Sequence, residues 1–491
     1  LTIQPMPKKM TWTLDEVIDG SRGRLAGGAR FTERFKSGFA GISIDSRSCG
    51  PQDMFAAIQG DIYDGHDFLE DVVKNGGRGL IVDENRVGQK IGKQRLEQWM
   101  KNGVAVVIAD ETVRSLGYLA SFNLARSNAR VAAVTGSNGK TSVKNMLRSI
   151  ASVRFQTLAT EGNLNNHIGL PLTVFRLSAF HEWAVLEMGM NHLGEIAYLA
   201  SLCSPDIGII TNTGPAHLEG VGSMEGVVSA KGELLEKIRP GGVAILNADD
   251  PNVGALARKT EEKTLYFGFS DAADVRAQSI ETTGAGANFT LVLPGGKIRA
   301  TLSAPGRFMI ANALAAAAAG HCMGISIEDI KTGLEQFQHD PGRMDIVQIG
   351  DGVTVINDTY NANPASMEAA METLGELAGE NRKFIVIGDM MELGKNAESM
   401  HRRVGSKAAE VGAERVWSAG LFAEAVARGA REGGMSPEKI AAGSPDQIVE
   451  DIKKYLEPGD WALVKGSRAM KMEKIVHRLR DAVSKQEKRL V

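Results

Sequence analysis

From Ala133 the chain keeps a regular rhythm: a short apolar run ends in a polar or glycine-rich turn, and helical text follows. "VAAVTG", "WAVLEMGM", "IGIITNTG" and "GVAILNADDP" are such runs. Continuous apolar strands alternating with helices predict a parallel sheet covered on both faces. Before about Asp110 the pattern is smaller and mixed. "DMFAAIQG", "GRGLIVD" and "GVAVVIAD" read as strands, and "GHDFLEDVVKNG" as a helix closed by glycine. Between about 275 and 303, "NFTLVLPGGKIRATLSAPG" predicts two extended runs around a Pro-Gly-Gly turn, an antiparallel insertion. "ANALAAAAAG" predicts a helix with a very small face, since alanine is the best helix former. From Asp340, "VTVINDTY", "KFIVIGDM", "RVWSAG" and "WALVKGSR" alternate with helical text as a second doubly wound unit. An amphipathic helix, "KMEKIVHRLRDAVSKQ", closes the chain. The expected fold is α/β in three domains, 1–108, 109–339 and 340–491. No internal repeat is evident.

Composition narrows the function classes. A chain of 491 residues exceeds one ordinary core, so several domains are expected. Charge is nearly balanced, 56 basic against 59 acidic residues, and aromatics are 5%, which argues against nucleic-acid binding. Cys49, Cys203 and Cys322 are scattered without metal-like spacing and suit a reducing cytoplasm. No apolar run reaches membrane-spanning length. The start, "LTIQPMPKKM", lacks the apolar core of a secretory signal, and roughly ten residues are expected to form a flexible leader.

The most informative stretch is "VAAVTGSNGKTSVKNML", residues 131–147. Gly139, Lys140 and Thr141 fit a phosphate loop, but Val134 stands where the first glycine is usual, and Gly136 comes two positions late. A strand enters and a helix leaves, so backbone amides and the helix N-terminus are placed for phosphate. Lys140 is expected to reach the terminal phosphates and Thr141 to ligate magnesium. Glu187 ends a strand, where a carboxylate serves a metal or water, or is simply a surface acid. Taken alone, His217 reads as structural and Lys231 as a solvated helical lysine. "INDTYNANPASM" places Asp358, Tyr360, Asn361 and Asn363 after a strand, where turn chemistry or capping of the next helix at Pro364 would also explain them. Arg343 could grip a phosphate or lie at a hinge surface. Lys465 and Arg468 mark another strand end.

Together these segments resemble the Mur ligase family along nearly the whole chain. "TGSNGKTS" is similar to that family's own phosphate loop, Thr-Gly-x-Asn-Gly-Lys-Thr, in which the displaced glycine is the rule. "TEGNLNNHIGLPLT", "VLEMGMNHLGEI", "AHLEGVGS" and "AKGEL" follow in the family's order. "NDTYNANPASM", "GDMMELG" and "LVKGSR" resemble the branch that joins D-alanyl-D-alanine to UDP-N-acetylmuramoyl-tripeptide. "DSRSCGPQDMFAAIQG" with "DGHDF" resembles its uridine-nucleotide-binding domain. The resemblance implies a small α/β substrate domain, a central P-loop ATPase-like domain and a Rossmann-like C-terminal domain. It implies an ATP- and magnesium-dependent amide ligase acting through an acyl phosphate, expected to be a cytoplasmic monomer.

By the same resemblance, residues Gly136, Ser137, Asn138, Gly139, Lys140, Thr141 and Ser142 cradle ATP phosphates. Asn312 and Asp358 approach adenine or ribose, and Arg343 a phosphate. Thr141, Glu187 and His217 lie near magnesium. Lys140, His217 and Lys231 are catalytic, Lys231 being the family lysine that can carry a carbamate. Ser46 and Arg47 approach the uridine nucleotide; Thr160, Asn163 and Asn166 approach the sugar-peptide. One departure stands out: "PGRFMIANALAA" has Phe308 where many members have histidine. The rivals are a Mur-type ligase adding the third residue, whose "DNPR" signature is absent, and a P-loop ATPase without ligase chemistry.

Overall fold

The computed structural model describes residues 10–28, 38–284, 286–350 and 352–487. Residues 1–9, most of the expected leader, lie outside the described residues. Three sheets succeed one another along the chain, each flanked by helices.

The first sheet has strands β1 (Arg24–Leu25), β2 (Gly41–Ser43), β3 (Asp53–Ala56), β4 (Gly79–Asp83) and β5 (Ala105–Ala109), in the order β1-β5-β4-β3-β2. Only the β1–β5 pairing is antiparallel. The second contains β6 (Arg130–Thr135), β7 (Thr157–Ala159), β8 (Trp183–Glu187), β9 (Ile207–Ile210), β10 (Val243–Asn247), β11 (Lys263–Gly268), β12 (Val275–Thr283), β13 (Gly286–Leu293) and β14 (Gly296–Leu302). Its order is β14-β13-β12-β11-β10-β9-β6-β8-β7. Strands β8 and β9 are buried throughout, as apolar runs covered on both faces must be.

The insertion differs from the sequence expectation. It has three strands rather than two, and β12 pairs parallel with β11, so the hairpin extends the central sheet. Strand β12 escaped notice because most of "VRAQSIETT" is exposed, polar and interrupted by a register shift between Gln278 and Glu281.

The alanine-rich helix Arg307–Cys322 buries Ala313 through Gly320. Its small face lets it lie close to the helix Lys140–Ala151: a side chain at Gly320 would stand 2.8 Å from Ile150. The helix behind the phosphate loop is thereby fixed. Phe308 packs against both the central core and the core of the following domain.

The third sheet has β15 (Asp345–Ile349), β16 (Val353–Asp358), β17 (Lys383–Gly388), β18 (Arg415–Ala419), β19 (Ile440–Ala442) and β20 (Trp461–Lys465), ordered β15-β16-β20-β17-β18-β19. All neighbours except β15–β16 run parallel. Asn363 caps the helix Pro364–Ala378 through a reciprocal bond with Ser366, with Pro364 as its first residue. Among the described residues no helix is long and apolar enough to cross a membrane.

Candidate active site

The polar ends of β6, β8 and β9 converge on residues 136–142. Gly136 has φ 149° and Gly139 φ 81°. A Cβ at Gly136 would collide with the Thr211 hydroxyl, and one at Gly139 with the Asn312 amide. Backbone conformation and crowding therefore both require glycine here, which accounts for the late position of Gly136. The loop is braced from β9. Ser137 Oγ donates to Gly214 O at 2.7 Å, Asn138 N donates to Asn212 Oδ1 at 3.0 Å, and Thr211 Oγ1 donates to Asn138 O at 2.5 Å. The first intrahelical bond is Val143 N to Gly139 O. The amides of Gly139, Lys140, Thr141 and Ser142 thus have no backbone acceptor among the described residues, a ready cradle for phosphate oxygens.

Lys140 folds onto the loop itself, with Nζ donating to Gly136 O at 2.8 Å and Ser137 O at 3.4 Å. Burial pushes its ammonium below the ordinary lysine range, opposed by Glu187 and assisted by Arg343. Lys231, in the helix Met224–Gly232, is buried, and no hydrogen bond or ion pair reaches its Nζ among the described residues. Desolvation pushes it well below the ordinary range, and the nearby charge of Lys140 pushes further. A buried, unpartnered lysine in that state favours the neutral amine.

Glu187 ends β8 and is buried. Its Oε1 accepts from Asn165 Nδ2 at 2.8 Å, while Oε2 is buried with no hydrogen-bond partner. An orphaned carboxylate oxygen there is unfavourable unless something else satisfies it. Thr141 offers a hydroxyl, now accepting from Arg343 Nη2 at 2.9 Å. Among the described residues no group of three His, Cys, Asp or Glu could hold a metal ion. Magnesium does not demand one: it takes one or two carboxylates, with phosphates and water completing its octahedron. The donors present fit that pattern. His217 has φ 56°, and its Nδ1 lies 2.5 Å from Glu392 Oε2. That contact holds the Glu392 carboxyl below its ordinary range. Among the described residues, no hydrogen bond or ion pair joins His217 to Thr141 or Glu187 directly.

The third domain meets the loop with polar groups. Asn363 Nδ2 donates to Asn138 Oδ1 at 2.7 Å, and Asn145 Nδ2 to Asp340 Oδ2 at 2.9 Å. Arg343, which reaches Thr141, stacks 3.9 Å over the Tyr360 ring. Asp358 accepts from Met344 N at 3.1 Å and from buried Lys465 Nζ at 2.5 Å. Arg468 instead pairs with Glu473 at 3.2 Å. Asn312 is buried against Gly139.

The remaining candidates are more dispersed. Ser46 and Arg47 lie in the turn after β2. Arg47 is exposed and bonds both oxygens of Asp45, at 2.9 and 2.8 Å, holding that carboxyl down at about 2. Thr160 is buried and accepts from Glu187 N at 3.0 Å. Asn163 is exposed, and Asn166 accepts from Ile168 N and Gly169 N, opening the helix Gly169–Val174. Three residues at the site were not singled out by sequence reasoning. Asn165, between the two chosen asparagines, is the one that touches Glu187. Buried Lys144 donates to Thr160 O at 2.8 Å, and Glu392 meets His217. Their motifs were visible, but a spacing does not say which member of a motif points inward.

Three family descriptions match the chain: "Mur ligase family, catalytic domain" over residues 38–137, "Mur ligase middle domain" over 134–320, and "Mur ligase, glutamate ligase domain" over 342–468. A UDP-N-acetylmuramoyl-tripeptide–D-alanyl-D-alanine ligase of Escherichia coli (strain K12) is 36% identical over 471 residues, 96% of this chain and 98% of that protein. A UDP-N-acetylmuramoylalanyl-D-glutamyl-2,6-diaminopimelate–D-alanyl-D-alanyl ligase from Acinetobacter baumannii has a solved structure at TM-score 0.82 and 31% identity, covering 97% of this chain and 100% of that one. The MurF ligase from Thermotoga maritima, solved in complex with ADP, superposes at TM-score 0.79 and 26% identity, covering 91% and 98%. With a phosphate loop of the family's own form, three sheets in the family's order and relatives matched over nearly their full length, the chain belongs to the Mur ligase family.

Proposed function

We propose that this protein is an ATP-dependent ligase that joins D-alanyl-D-alanine to UDP-N-acetylmuramoyl-tripeptide through an acyl phosphate, a step in peptidoglycan precursor synthesis. The likeness to a ligase of that name over 96% of the chain carries the reading. The geometry supplies its chemistry. The tripeptide's terminal carboxylate attacks the γ-phosphate of ATP and displaces ADP. The amine of D-alanyl-D-alanine then attacks the acyl carbonyl and expels phosphate.

The physical difficulty is bringing a carboxylate to a polyanion. Lys140, released from the loop carbonyls, and the amides of 139–142 would neutralise the transferring group. Arg343 would turn from the Thr141 hydroxyl to a phosphate. Magnesium, when bound, would supply further positive charge, with Thr141, Glu187 and His217 as its proposed holders. Lys231 as a neutral amine can add carbon dioxide, forming an N–C bond and losing one proton; the resulting carbamate would be an anion facing Lys140. Asn312 and Asp358 are the proposed nucleoside contacts. Ser46, Arg47, Thr160, Asn163 and Asn166 are proposed along the UDP-peptide. Closure of the third domain would exclude water that hydrolyses an acyl phosphate. The reading places the protein in the cytoplasm as a monomer, with roles in cell-wall growth, cell shape and division.

Phosphate release tests it. With ATP, magnesium and UDP-linked tripeptide, D-alanyl-D-alanine should support turnover and the L,L dipeptide should support little. Turnover of a UDP-linked dipeptide with L-lysine or meso-diaminopimelate, and none with D-alanyl-D-alanine, would reassign the chain to the third-residue branch.

A further inference from the structure

A cavity of about 280 Å³ opens between the first turns of the helices Thr112–Ala125 and Glu195–Cys203. Its remaining wall comes from loops at the carboxyl ends of β7 and β8. It neighbours the proposed reaction centre through the loop after β8. Gly189, two residues beyond Glu187, lines it, and a side chain there would stand 3.0 Å from Asn165, the residue that holds Glu187.

Leu193 and Leu199 give the cavity apolar surface, and Leu193 is 54% exposed, an apolar side chain left for something to cover. Arg114 and Glu111 stand at its edge with Nε and Oε2 3.6 Å apart. Neither side chain makes a hydrogen bond to another described residue, so the guanidinium fork and the carboxylate both keep their capacity. An exposed pair of this kind adds little to stability. It does present opposite charges about as close together as the ammonium and carboxylate of a single amino-acid carbon.

We infer that this cavity receives the side chain of the tripeptide's terminal residue, and that the side chain ends in an α-amino-acid group, as in the 2,6-diaminopimelyl residue named for the Acinetobacter relative. The inference rests on the proposed ligase reading. The terminal residue's reacting carboxylate must lie near Glu187, so its side chain falls to the neighbouring cavity. The methylenes cover Leu193, Arg114 grips the distal carboxylate in a fork, and Glu111 takes the ammonium. A lysine side chain supplies the ammonium alone and leaves Arg114 without an anion.

The test uses two UDP-linked tripeptides that differ only in ending with meso-diaminopimelate or L-lysine. The wild-type protein should favour the former about tenfold or more in kcat/KM, as loss of one charged contact predicts. Arg114→Ala should raise KM about tenfold for the diaminopimelate substrate, with kcat and the KM for ATP unchanged and lysine turnover within about twofold. Glu111→Gln should weaken both tripeptides. Equal use of the two by the wild-type protein, or an equal loss on both in Arg114→Ala, overturns the cavity assignment and leaves the ligase reading intact. Turnover of neither overturns both.

Discussion

Two surfaces meet at the phosphate loop, and they are built differently. The loop is one continuous stretch, 136–142, buried against Thr211, Asn212 and Gly214 and closed by glycines that no other residue could replace. The facing surface is assembled from Asp340 and Arg343 of one turn, Asn363 and Glu392, three separate segments of the third domain, which reach Asn145, Thr141, Asn138 and His217. The loop is held by crowding as well as hydrogen bonds. The docked surface relies largely on polar contacts, each worth only about 0.5–1.5 kcal/mol net because water can replace it. The comparison suggests a fixed cradle and a removable cover, which is what a ligase that must admit a nucleotide and two peptides requires.

The largest effect should come from the cradle. Lys140→Ala is expected to reduce phosphate release by more than about a hundredfold, the scale of losing a charge that stabilises a transferring group. Its thermal midpoint should hold, since the ammonium is desolvated and bonds only loop carbonyls. Near-normal turnover at saturating ATP would break the assignment.

Lys231→Ala should cost nearly as much, about a hundredfold if the group is an essential anion. The sign of its pH dependence follows from its lowered pKa. Below that pKa the ammonium cannot take up carbon dioxide; above it the amine can. Activity in carbon dioxide-depleted buffer should therefore fall as pH falls and recover with bicarbonate. A carbamate resonance from ¹³C-bicarbonate, absent in the variant, would report the modification directly.

On the covering side, Asp358→Asn should act on stability more than on chemistry. It removes the carboxylate from the buried Lys465 ammonium and leaves it the neutral Asn361 carbonyl at 2.9 Å, a change of about 3–5 kcal/mol when one partner of a buried pair is removed. Denaturant unfolding should show the third domain loosening while the central domain keeps its midpoint. An unchanged profile would mean that Lys465 is satisfied otherwise. The smallest effect is expected for Arg343→Ala. It should raise KM for ATP about tenfold, as one charged contact to phosphate is lost. An effect as large as that of Lys140→Ala would erase the distinction between cradle and cover.

The same contrast explains what was legible in the sequence. The loop could be read because its strand, glycines, lysine and threonine are consecutive. The strand ends carrying Glu187 and Asp358 followed from apolar runs that stop at a carboxylate. The contacts of Arg343 with Thr141 and of Asn363 with Asn138 span 202 and 225 residues, and no local pattern encodes them. Asn165 was hidden among equivalent asparagines, and only the turn of the chain directs it to Glu187. Lys144 lies four residues past Lys140 and reads as an ordinary helical lysine until its burial is seen. Strand β12 was hidden for the opposite reason: its polar, exposed edge carries no apolar signature.

The central claim is that cradle and cover together activate a carboxylate by phosphorylation. Tripeptide labelled with ¹⁸O in its terminal carboxylate, turned over with ATP and D-alanyl-D-alanine, tests it directly by mass spectrometry of the released phosphate. The account predicts one ¹⁸O atom in each phosphate, carried across when the acyl phosphate is formed and then cleaved by the amine. Phosphate free of label, with amide product still formed, would contradict it.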